Sequence, residues 1–219
     1  MSAPFLRKNV RTEEGKTHYA SYYYSERIFL YMEVHVMSIY ESCPTLTTEH
    51  LTLRLVRRED AGGLLKVYSD GKAQPFFNTD NCTSDFCYTR LPEMIECVNM
   101  WLWSYQHGYF VRWTILHGDV PVGTAEMFRR DDGPDGRGCG VLRIDLASRY
   151  ERGKVFDELL PALLPCCHRD FGCARVLSKA FSGSGERLAA LGRHGFVPAP
   201  GAVSYHDGTP ILDYWVHRA

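Results

Sequence analysis

Apolar and polar positions alternate strictly in residues 141–146, where Leu142, Ile144 and Leu146 are separated by Arg143 and Asp145. A period of two marks a strand with one face in a core. Directly after it, residues 148–154 are polar and basic, with Arg149, Arg152 and Lys154 around Gly153. Then the period changes. Phe156, Leu159, Leu160, Leu163, Leu164, Cys167 and Phe171 recur at helical spacing as one apolar stripe. Pro161 and Pro165 fall inside this helix, on the side away from much of the leucine stripe, and predict a bent or locally broken helix rather than two separate elements. A strand that passes through a basic glycine turn into a helix suits an anion. The first amides of the helix are unpaired, its dipole is positive there, and three cations stand nearby. The same residues also suit a merely solvated basic turn, so the rest of the chain decides.

Upstream, residues 51–55 (L-T-L-R-L) alternate and read as a first strand, followed by a helix over 58–69 with Glu59 and Asp60 in its first turn. A loop over 71–83 leads to a second helix at 91–106, opened by Pro92. Strands at 109–116 and 120–128 form a hairpin through His117-Gly118-Asp119, and a polar, glycine-rich loop covers 131–140. Downstream, the pattern predicts a strand at 174–180, a helix at 186–193 ended by Gly195, a strand near 196–198 and a last strand at 211–216. Residues 1–44 differ in character. Aromatics crowd 17–37, and 28–37 suits a strand or a helix equally. Either Met37 is the natural start and what precedes it is a leader, or 1–44 is an arm that packs on the domain or on a second subunit. The domain proper spans 45–219.

Composition narrows the class. The 219 residues fit one domain with an extension, and 45% apolar against 23% charged residues suffices for a real core. A net charge of −1 argues against a nucleic-acid partner held through phosphates. No apolar run approaches the ~20 residues that span a bilayer, and the N-terminus lacks the order of a secretory signal. The eight cysteines form no C-x-x-C pair and read as reduced thiols of a cytoplasmic protein. Cys166-Cys167-His168 with Cys173 is not expected to hold a metal, because adjacent helical residues point about 100° apart.

The element order, with T-L-R-L-V-R-R-E-D at 52–60, V-G-T-A-E-M-F at 122–128, the strand and R-G-K turn through Lys154, and L-G-R-H-G-F at 191–196, resembles the GNAT superfamily of acyl-CoA-dependent N-acyltransferases. It stands nearest the subgroup that acetylates ribosomal-protein N-termini. The resemblance covers about 45–219. It implies an α/β (α+β) fold with a mixed, mostly antiparallel sheet of about six or seven strands, splayed at the acetyl-CoA site and flanked by about four helices. The family's Q/R-x-x-G-x-G/A loop falls on Tyr150-Glu151-Arg152-Gly153-Lys154-Val155. Gly153 matches, Tyr150 and Val155 depart, and Glu151 brings a negative charge to a phosphate loop. The family's asparagine before its fourth helix is replaced by Ser182-Gly183-Ser184-Gly185, and its helical tyrosine is missing.

The resemblance therefore implies acetyl-CoA as co-substrate, bound by Leu146, Ala147, Ser148, Arg149, Arg152, Gly153, Lys154, Val155 and Ser184, with an amide of Leu146 or Ala147 polarising the thioester. A carboxylate is to take the proton of the attacking amine. The candidates are Glu126 and Asp145, which with Arg143 share one sheet face if their strands are neighbours; the competing role for both is a structural cross-strand ion pair. Asp145 is expected to be held by Arg143, which would lower its pKa and leave Glu126 as the better base. The implied activity is acetyl transfer to a primary amine, on a protein N-terminus or a small molecule, by a monomer or homodimer without nucleic acid, membrane or metal. The alternative is a catalytically inactive module on the same fold, which the departures at Tyr150 and Val155 favour.

Overall fold

The computed structural model describes residues 38–130 and 138–219, with the backbone of two short strands nearer the N-terminus. Two compact units divide the chain, Met1–Ser38 and Ile39–Ala219. In the first, Val10–Arg11 pairs antiparallel with Thr17–His18. The segment 28–37, expected as strand or helix, lies outside the described residues, as do 131–137 of the polar loop.

The second unit is organised by a sheet. Its elements are β1 (Leu46–Thr47), β2 (Leu51–Leu55), α1 (Ala61–Tyr68), α2 (Leu91–Gln106), β3 (Val111–His117), β4 (Val120–Arg130), β5 (Cys139–Leu146), α3 (Gly153–Arg169), β6 (Arg175–Lys179), α4 (Gly185–Arg193), β7 (Val197–Pro198), β8 (Val203–Ser204), β9 (Pro210–Ile211) and β10 (Tyr214–Arg218). Eight strands lie in the order β1-β2-β3-β4-β5-β6-β10-β7, and β8 pairs with β9 as a separate ribbon. Neighbours are antiparallel except β5 and β6, which run parallel because α3 connects them. This is the mixed, mostly antiparallel sheet flanked by four helices that the resemblance implies, with eight strands in place of the expected six or seven.

The short strands β1, β8 and β9 were not expected, and the last strand starts later than the pattern suggests. The last strand begins at Tyr214 rather than at residue 211. Leu212 and Asp213 are both exposed, which breaks the period of two, and Ile211 is left to the β8–β9 ribbon. α3 runs as one element through Pro161 and Pro165, in keeping with the expectation of a single helix. Both prolines face solvent, where water can satisfy the carbonyls that lose their helical partners.

The sheet is covered on both faces. Leu53, Trp113, Ala125, Met127, Leu142, Ile144 and Leu146 pack against Phe156, Leu159, Leu160 and Leu163 of α3. The opposite face is roofed by α1, α2 and the chain between them, whose own core includes Tyr68, Phe77, Phe86, Met94 and Trp101. On that second face β3–β5 present Arg112, Thr114, Thr124, Glu126, Arg143 and Asp145. The polar half of the alternation is thus buried rather than solvated, and this places the candidate site.

Packing of the unit starts at Ile39, ahead of Thr45. Ile39 lies in the core, its carbonyl accepts from Tyr105 Oη at 3.0 Å, and Pro44 O accepts from Trp113 Nε1 at 3.1 Å. A chain begun at Met37 is therefore expected to be soluble and to melt in one cooperative transition. Aggregation, or loss of most of the thermal stability, would show that the preceding residues are needed for the fold or for a dimer.

Candidate active site

Arg112 is the centre of the buried polar face. Its guanidinium is 1% exposed and would be untenable without partners. It donates to Glu126 Oε2 from Nη2, and from Nε at 3.0 Å. Its Nη1 donates to Tyr68 Oη and Thr124 Oγ1, each at 3.1 Å, and stands 3.7 Å from Asp145 Oδ2. Its Cζ lies 4.1 Å from the centre of the Trp101 ring, a cation–π contact.

The expected pairing of Asp145 with Arg143 does not form. Arg143 Nη1 donates to Glu126 Oε1 at 3.0 Å, because the β4–β5 register sets Glu126 directly opposite Arg143 and Thr124 opposite Asp145. Directly opposed side chains approach more closely than residues two apart on one strand. Arg143 Nη2 is also drawn to Asp80 O at 2.9 Å. Glu126 is consequently held by two guanidinia, the arrangement expected of a structural acid. Asp145 accepts from the Asn78 amide at 3.1 Å and from Tyr68 Oη at 3.3 Å. Burial pushes its carboxyl above the usual range, against the opposing pull of Arg112. The two acids thus differ in their partners: Glu126 accepts hydrogen bonds from two guanidinia, whereas Asp145 accepts none, the nearest guanidinium nitrogen lying 3.7 Å away.

Next to Asp145 the sheet opens. β5 and β6 pair only as far as Leu142↔Ser178, while β5 continues to Leu146. On the freed edge, Ile144 O accepts from Arg187 Nη2 of α4 at 3.0 Å. Strand alternation places Leu146 N–H on this same edge, whereas Ala147 N–H is turned away and donates to Val122 O at 2.9 Å. Of the two amides predicted to polarise a carbonyl, only that of Leu146 faces the opening.

The basic turn is shaped around a carboxylate. Gly153 N–H, the first amide of α3, donates to Glu186 Oε2 at 2.7 Å, and Arg152 Nη1 lies 3.4 Å from Glu186 Oε1. The amides of Tyr150, Glu151, Arg152, Val155 and Phe156 donate to backbone carbonyls within the turn. Glu151, the unfavourable charge of the sequence pattern, is turned inward and forms a two-pronged pair with Arg187, Nε–Oε1 2.7 Å and Nη2–Oε2 2.8 Å. Val155 is half-buried and packs on the α3 side of the sheet. Arg149 is exposed, 4.9 Å over the Tyr150 ring, and Lys154 is exposed. Ser148 N–H donates to Asp70 Oδ2 at 2.8 Å, and Ser184 Oγ to Phe181 O at 2.8 Å, which braces the turn into α4. A cleft of about 460 Å³ opens beside the turn, lined by Lys66, Asp70, Pro121, Ala147, Ser148 and Arg149, among others.

The structure thus brings Asp145 and Leu146 together at the opening, and Arg152 and Gly153 together at the carboxylate. It assigns Ser148 and Ser184 to bracing turns. Sequence reasoning missed Arg112, Tyr68, Asn78, Glu186 and Arg187. Arg112 had a signal: it alternates with Val111 and Trp113 in a strand whose neighbours carry polar residues at the same period.

No protein-family model and no curated protein matches the sequence. Solved structures do. An acetyltransferase from Salmonella typhimurium that modifies the N-terminal serine of ribosomal protein L7/L12 superposes with a TM-score of 0.59 at 15% identity, over 80% of this chain and 99% of that one. RimJ from Mycobacterium smegmatis, in complex with CoA-disulfide, gives 0.60 at 15% identity, over 79% and 84%. The microcin C7 self-immunity acetyltransferase MccE, bound to acetyl-CoA and AMP, gives 0.60 at 11%, over 78% and 93%. The fold is that of the GNAT acetyltransferases.

The two acids should separate by stability. Glu126→Gln leaves two buried guanidinia short of their shared partner and is expected to cost about 3–5 kcal/mol, read as a large fall in denaturant midpoint. Asp145→Asn keeps an acceptor for the Asn78 amide and should cost much less. Equal losses would show that both acids are structural.

Proposed function

We propose that this chain transfers an acetyl group from acetyl-CoA to a primary amine, on a protein N-terminus or a small molecule. The observation that carries the reading is the parting of β5 from β6 after Leu142, with the Leu146 amide on the open edge and the raised-pKa carboxyl of Asp145 beside it. Bound acetyl-CoA would supply the activated acetyl group. The turn fits its phosphates on one observation: the Gly153 amide and the Arg152 guanidinium already hold an anion, the carboxylate of Glu186. Gly153, Lys154, Arg152 and Arg149 would hold the phosphates, and the Leu146 amide would polarise the acyl oxygen.

Asp145 would take the amine's proton. A carboxylate whose pKa is raised by burial is a stronger base than an exposed one. As the C–N bond forms and the C–S bond breaks, the proton taken from the amine would pass on to the leaving thiolate of the coenzyme, which restores the carboxylate. An α-amino group suits so modest a base, since its ordinary pKa of ~7.7–8.0 lies well below the ~10.4 of lysine. Among the neighbours, one modifies a protein N-terminal serine and another is bound to acetyl-CoA and AMP. The reading of an inactive module draws on one observation: Glu186 and Arg187 already contact the turn and the open edge.

Calorimetry with acetyl-CoA separates the two readings, because only the enzyme requires the coenzyme. Gly153→Val should weaken binding by about tenfold or more, since an added side chain stands over the anion-holding amide. It should not unfold the domain: a Cβ at Gly153 meets only the end of Arg193 at 3.2 Å, and Glu186 atoms no nearer than 3.6 Å. Unchanged affinity would remove the coenzyme from this turn. With any acceptor amine in hand, Asp145→Asn should lower kcat by ~10²-fold or more. Wild-type activity should fall as pH drops through the raised pKa of Asp145, since only the ionised form accepts a proton. Full activity in Asp145→Asn would place the base elsewhere.

A further inference from the structure

Glu186 is the second residue of α4, yet its side chain reaches across to the N-terminus of α3. There it makes the contacts expected of a ligand. One oxygen accepts from the Gly153 amide at 2.7 Å and the other lies 3.4 Å from Arg152 Nη1. Helix N-termini of this kind bind phosphate and carboxylate through the same donors. Two anions cannot share one amide. We propose that Glu186 is an internal competitor for the coenzyme's phosphates, and that it sets the affinity of the site by occupying the cradle when the coenzyme is absent. This rests on the reading of the turn as a coenzyme site.

The neighbouring residue strengthens the case. Arg187 donates to Ile144 O on the open edge of β5 and is clamped by Glu151 from the same turn. The first turn of α4 therefore touches both the basic turn and the open strand edge, with a carboxylate at the first and a guanidinium at the second. The two contacts differ in permanence. Arg187 and Glu151 are 3% and 7% exposed, so their pair is fixed. Arg152 and Glu186 are 59% and 53% exposed, so theirs is weak and easily exchanged. A phosphate with more charge than a carboxylate can displace Glu186, while α4 stays anchored through Arg187. Occupation of the cradle by Glu186 lowers the apparent affinity by the fraction of time the cradle is free, so occupation for nine-tenths of the time weakens binding about tenfold.

The test is acetyl-CoA titration by calorimetry of wild type, Glu186→Gln and Glu158→Gln, the last removing an equal charge from α3 away from the turn. Glu186→Gln should bind acetyl-CoA about five- to tenfold tighter, with Glu158→Gln unchanged. The Gly153 amide resonance should also move in Glu186→Gln without any ligand, which reports the contact independently of the coenzyme. If all three proteins bind acetyl-CoA with one affinity, the competitor is refuted while the coenzyme reading stands. If both variants tighten equally, the effect is net charge and the proposal fails. If none binds acetyl-CoA, the coenzyme reading fails and takes this inference with it.

Discussion

The buried guanidinium of Arg112 is the constraint from which the rest of the structure follows. A charge this deep is tolerated only when every donor is met and the charge is balanced nearby. The Glu126 carboxylate, the Tyr68 and Thr124 hydroxyls and the face of Trp101 supply those conditions. They come from β4, α1 and α2, so the charge ties both covering helices to the middle of the sheet. Arg143 joins through the second oxygen of Glu126, and Asp145 stands close to Arg112. The four groups carry two positive and two negative charges when all are ionised, which makes the face neutral as a whole.

That balance gives Asp145 its character. It lacks the direct guanidinium bond that Glu126 has, so burial dominates and raises its pKa. The approach of a second cation would favour its ionised form, and departure of that charge would favour the protonated one. The segment between α1 and α2 participates as well. Asn78 donates its amide to Asp145 and its side chain to Tyr214 Oη, and Asp80 binds Lys179 at 2.6 Å. The roof over the acid thus combines these polar contacts with the apolar packing of Tyr68 on Phe77, Phe86 and Trp101.

The sheet and its helices were legible because period-two and helical stripes are local patterns, and each core strand shows one. The site was legible only in outline. The sequence placed Glu126, Arg143 and Asp145 on one face, but which acid meets Arg143 depends on register, and register is a relation between strands. Arg112 lay in plain view as a polar residue in an apolar strand, yet nothing local says that α1 and α2 cover that face. Glu186 and Arg187 were hidden for the same reason. They precede an ordinary amphipathic stripe, and their partners are 33 residues away at Gly153 and 36 at Glu151.

The departures from the family's loop gain a common explanation once the partners are known. Glu151 looked hostile to phosphate, yet it faces inward and neutralises Arg187, which would otherwise be a bare buried cation. Arg187 in turn holds Ile144 O on an edge that has no strand beside it. A backbone carbonyl left there without a donor would be costly wherever water is excluded. Val155 turns its side chain into the packing on α3's side of the sheet, so its bulk lies away from the Gly153 amide. The altered loop is therefore a connected set in which an acid, a guanidinium and an open strand edge satisfy one another. Removing any one of them leaves the next unpaired, so the three residues have to be read as a unit and not as separate losses from a motif.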